Sequence, residues 1–151
     1  MRILVAASCL LMSACAGDDS GEQLVASSLT ASYDGAAFTP TFGFAAPYMS
    51  GNVLALGDGA IRCGTQNAPE PPPGRTAVFS LASLDAGTYG SVFVQMFTNV
   101  GEFEGVGANR GNVTITTSTD ATIAGMVSFD YTDDEQRVFT IAGTFEAVRC
   151  P

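Results

Sequence analysis

From Arg75 to Arg149 apolar and polar residues alternate, run after run, and each run stops at a cluster of turn-forming residues. This alternation constrains the fold more than any other feature of the chain. Side chains at i, i+2 and i+4 share one face of a strand, whereas a helix brings its apolar positions round every 3.6 residues. Ala77, Phe79 and Leu81 fall on one face; so do Val113, Ile115 and Thr117, with Thr114 and Thr116 opposite. Ile123, Gly125, Val127, Phe129 and Tyr131 share the next, and Phe139, Ile141, Gly143, Phe145 and Ala147 the last. Ser91 to Thr98 is apolar on both faces (Val92, Val94 and Met96 against Phe93 and Phe97), which predicts a strand covered on both sides.

The first half repeats the logic in shorter runs. Asp34-Gly35, between Leu29–Tyr33 and Ala36–Phe44, is a strong two-residue hairpin signal. Asn52 to Leu56 and Ile61 to Cys63 read as further short runs separated by Gly57-Asp58-Gly59. "GTQNAPEPPPG", Gly64 to Gly74, cannot lie inside a sheet, because its prolines lack backbone donors. No sustained helical period occurs from Leu29 onward. The expected fold is all-β: an antiparallel β-sandwich of about eight strands, with a compact up-and-down β-barrel as the alternative.

Charge narrows the list of partners. The formal net charge is −9, and the cations are all arginines (Arg2, Arg62, Arg75, Arg110, Arg137, Arg149), with no Lys and no His. Such a surface repels phosphate backbones, so no nucleic-acid partner is expected. Almost half of the residues are apolar and ten are Phe, enough to build one core.

The amino terminus reads as an address. Met1-Arg2 supplies a positive start and Ile3 to Met12 an apolar stretch of about ten residues, right for a secretory signal and too short to span a bilayer. Met12-Ser13-Ala14-Cys15 resembles the bacterial lipobox, with Met12 in place of the usual Leu. That resemblance implies cleavage before Cys15, acylation of its thiol and attachment to a membrane. Ala16 in the following position implies delivery to the outer membrane where the cell has one. Ala14-Cys15-Ala16 also fits ordinary signal cleavage, which would release a soluble secreted protein. Cys9 has too few apolar residues before it to serve as the anchor. The organisation expected is a signal over residues 1–14, an acylated Cys with a flexible tether over 15–28, and a single all-β domain over 29–151.

Cys63 and Cys150 then form an even pair in a chain bound for an oxidising compartment, which predicts one disulfide. A metal or redox role is the weaker reading, since there is no C-x-x-C and no His. No cofactor or metal is expected.

Missing side chains also limit catalysis. Without His and Lys there is no imidazole base, Schiff base or Walker-type lysine. Carboxylate chemistry survives: Glu102 and Glu104 in "GEFEG" stand two residues apart, roughly 7 Å along one strand face, within the range of a glycosidase pair. Flanking glycines and the absence of Trp make a solvated hairpin the stronger reading. Asp130, Asp133, Asp134 and Glu135 supply oxygens but lack the spacing of a calcium loop, and read as a charged turn. "GVGANRG", Gly105 to Gly111, reads as a flexible loop tip carrying Arg110. The Phe set (Phe79, Phe93, Phe97, Phe129, Phe139, Phe145) either fills a core or lines the lumen of a barrel that carries an apolar ligand.

"YDGAAFTP", "LDAGTYG", "GNVTITTSTDATIAGMVSFDY" and "IAGTFEAVRC" together resemble a pattern seen in small bacterial lipoproteins. The resemblance implies fold and location and carries no activity. The expectation is therefore a non-enzymatic, lipid-anchored module of the cell envelope that binds an envelope protein or serves a structural role. An apolar-ligand carrier and a carboxylate-dependent glycan hydrolase stand as alternatives.

Overall fold

The computed structural model describes residues 21–68, 72–98 and 105–151. Ten strands follow one another: β1 (Ala26–Ser27), β2 (Thr30–Tyr33), β3 (Ala36–Phe38), β4 (Phe42–Tyr48), β5 (Gly51–Gly57), β6 (Thr76–Leu81), β7 (Gly87–Phe97), β8 (Gly105–Ser118), β9 (Thr122–Thr132) and β10 (Val138–Arg149). A single 3-10 turn, Thr65–Asn67, is the helical element among the described residues.

The all-β expectation holds, but the sandwich does not: the sheet closes into a seven-stranded barrel, the architecture given as the alternative. Strands β4 to β10 are each antiparallel to the next. With an odd number of alternating strands the first and last must run the same way, and β10 meets β4 in parallel at Val148–Phe44 and Arg149–Ala45. Alternation alone cannot separate the two architectures, because inward and outward residues alternate in both. The deciding element is the length of β10. One edge pairs with β9 from Val138 to Val148, and the other is shared in succession by β2, β1 and β4.

Where β10 and β4 diverge, the amino-terminal segment fills the seam. Gln23 bridges Phe42, the amide of Leu24 donates to Thr41 O, that of Val25 to Glu146 O and that of Ser28 to Thr144 O. Residues 21–28 are thus part of the sheet, a correction to the tether drawn over 15–28. Apart from Leu24, which packs against the core, their side chains carry little burial signal, and the backbone edges of β4 and β10 hold them. The Asp34-Gly35 hairpin is formed as expected, with φ of 47° and 80° at the two turn residues.

A seven-stranded barrel is slightly narrower than the eight-stranded size whose interior side chains just fill. Phe79, Phe129, Phe139 and Phe145 are buried inside with Leu54, Val94 and Ile123. Phe93 is different: it sits on the outer wall at 37% exposure, its ring over Gly107 on the neighbouring strand. The strand predicted to be covered on both faces therefore has one largely solvent-facing side, although Phe97 at its end is buried. A Cβ on Gly107 would lie 2.6 Å from Phe93 Cζ, so a larger residue there would make this exposed ring swing aside. Gly105 to Gly111, expected as a loop tip, lies in β8.

A second apolar layer lies outside the barrel. Phe44, Ala46, Val53 and Ala55 point outward from β4 and β5 and are buried with Ile61 and Cys150. Ile61 to Cys63, expected as a strand, is instead the loop that packs with this wall, and the Cys63–Cys150 disulfide ties it down (S–S 2.06 Å, Cα–Cα 5.6 Å).

Gly143 lies in β10 where the amino-terminal segment passes closest to it. Its φ is 131°, and a Cβ would lie 2.5 Å from Ser28 O. Gly143→Ala is expected to cost about 1 to 3 kcal/mol in urea unfolding, and Ala142→Ser at the exposed neighbour under about 0.5 kcal/mol.

Candidate functional site

Aromatic and charged side chains gather at the barrel mouth where β5, β7 and β9 end. Cross-strand register places Tyr131, Phe139 and Tyr33 in one row across β9, β10 and β2. Tyr33 meets Phe139 edge-on, ring centroids 4.5 Å apart, and Phe129 stacks below Tyr131 at 6.3 Å. Phe139 is fully buried, whereas the two tyrosines are half-buried. The row therefore closes the core and leaves two phenols at the rim.

Three of the arginines stand at this mouth. Arg75 lies 4.5 Å above the Phe38 ring and is held by Asp58: Nη2 is 2.6 Å and Nε 2.8 Å from Oδ2, while the Arg75 amide donates to Oδ1. Nη1 donates to Ala37 O at 3.4 Å, covering the outer edge of β3. Arg137 is bound by the β9–β10 turn. Arg110, in β8, lies 5.7 Å over the Tyr131 ring, and among the described residues no carboxylate forms an ion pair with it.

The acidic run resolves into two roles. Asp130 is exposed on the outer wall, while Asp133 is the hub of the turn at 9% exposure. Asp133 Oδ1 accepts from the amides of Glu135 (3.0 Å) and Arg137 (2.8 Å), and Oδ2 from Arg137 Nε (2.7 Å). Glu135 reaches Arg137 Nη2 at 3.3 Å. The carboxylate is thus committed to the hairpin. Among the described residues no group of three or more metal-ligating side chains is assembled.

Burial pushes the Asp133 carboxyl up, but the amide and guanidinium of Arg137 and the amide of Glu135 outweigh it and hold the group below the ordinary aspartate value. Arg137 is raised in turn, chiefly by its side-chain hydrogen bond to Asp133. A carboxyl with a depressed folded pKa adds stability that is complete above its unfolded pKa and is lost as the pH falls through the folded one. The wild type is therefore expected to lose urea resistance on acidification through and below the aspartate range. Asp133→Asn should be less stable near neutrality and lose less over that range. A variant with the wild-type acid dependence would remove this hairpin as its source.

Of the sequence-predicted site residues, Cys63 and Cys150 come together on the barrel wall. Cys15, Glu102 and Glu104 lie outside the described residues. The Tyr131–Phe139–Tyr33 row was not foreseen, since its members come from three strands. The available signal was tyrosine near the ends of two runs, where an apolar ring with a polar tip suits a rim. A separate groove of about 420 Å³ opens between the amino-terminal segment and the β3–β4 connection, floored by Leu24, Leu29 and Pro40. Among the described residues the mouth offers phenols and a guanidinium for contact, and both described cysteines are joined in the disulfide. Comparison with protein-family models, curated proteins and solved structures gives no match.

Proposed function

We propose that this chain is a non-catalytic binding or structural module of the cell envelope, held to a membrane through an acylated Cys15 and presenting a disulfide-braced barrel outside the cytoplasm. The observation that carries the reading is the Cys63–Cys150 bridge, because a disulfide persists in oxidising compartments and the amino terminus resembles a route to one. The absence of Lys and His supports binding over catalysis. The barrel interior is filled by the inward Phe and aliphatic residues, which gives the carrier alternative little room.

Metabolic labelling with a fatty acid tests the anchor. The wild type should take up label and partition with membranes, whereas Cys15→Ser should do neither. Label that survives the substitution would reject Cys15 as the acylated residue. More than one long acyl chain is needed for durable attachment, at about 0.8 kcal/mol per buried methylene.

A further inference from the structure

We infer that the barrel wall carrying the Cys63–Cys150 bridge is the face that lies against the bilayer. This rests on the acylation of Cys15 proposed above. The folded body starts almost at once after that residue. The amide of Glu22 donates to Ile61 O at 2.7 Å, and Glu22 O accepts from the amide of Gly43 at 2.8 Å. Gly21 sits so close to the Ala60–Ile61 backbone that a Cβ would lie 2.5 Å from Ala60 C. Only Ala16 to Ser20 separate this fastened point from Cys15.

Reach then decides orientation. Six Cα–Cα steps span at most about 20 Å, whereas a domain of this length is roughly 35 Å across. A barrel turned so that this wall faced away would put Gly21 out of reach of the lipid. Around the ring of strands β7 and β8 lie across from β4, so the wall with Phe93 and Asn109 projects away from the membrane.

The chain has no Trp, so single tryptophans report without background. Full-length acylated protein with Ala60→Trp or Asn109→Trp, both at exposed positions, is reconstituted in phosphatidylglycerol-containing vesicles doped with a headgroup-nitroxide lipid. Arg62→Trp and Thr88→Trp serve as second reporters in case either first variant misfolds. Quenching at 60 or 62 should exceed that at 109 or 88 at least two-fold, and about twenty Gly/Ser residues inserted after Ser20 should erase the difference. Equal or reversed quenching in acylated, vesicle-bound protein overturns the inference alone. Protein that carries no acyl group and stays off the vesicles overturns the anchor, and the inference with it.

Discussion

Cys150→Ser is expected to lower the unfolding free energy by about 3 to 4 kcal/mol, read from urea titrations of the folded domain. The bridge joins residues 87 apart, so it restrains most of the unfolded chain, and the entropy model gives roughly 4 to 5 kcal/mol before strain is subtracted. Part of the loss should arise in the folded state. Without the bridge, the loop bearing Ile61 is no longer fastened over Phe44, Ala46 and Val53, and the amide of Glu22 risks losing its acceptor at Ile61 O. Cys63→Ser and the double variant should match the single one, since all three remove the same bond. A loss under about 1 kcal/mol would show that the outer layer holds itself together.

Phe79→Ala is expected to cost about 3 to 5 kcal/mol in the same assay, the range for emptying a fully buried aromatic site. Phe79 has no exposed surface and stands on β6 opposite Leu54 on one side and Val94 on the other. A side chain packed across Gly111 cannot be replaced by water, and the surrounding strands are fixed by their ladders, so the void should close only in part. Phe93→Ala is the contrast: its ring lies outside the barrel, and the loss should stay below about 1 kcal/mol. Similar losses at the two positions would mean that the interior is loosely packed after all.

Strand identity and facing were largely readable. The inward sets on β6, β9 and β10 fall on the residues that alternation selects, since one buried face forces a two-residue period. Architecture was not readable locally. Whether a run such as Val138–Arg149 ends at a sheet edge or joins a second partner depends on pairings with residues more than one hundred positions away. Gly105 to Gly111 reads as a loop because glycine is scarce in strands; in β8, Gly107 makes room for a ring and Gly111 for a close approach to Val94. At the mouth, the charged character of the Asp133–Arg137 turn was evident from its composition. That Asp133 would be enclosed by its own hairpin was not, since this depends on how β9 and β10 meet.

The parallel seam has a consequence for folding. β10 meets β4 over just two register pairs, and β1 and β2 hold the rest of that edge, so the ring is finished by segments more than one hundred positions apart. A chain in which β10 has not yet docked is an open sheet with two raw borders, vulnerable to self-association. Closure of the ring must therefore wait until β10 is in place, so the barrel is gained or lost as one unit and not strand by strand.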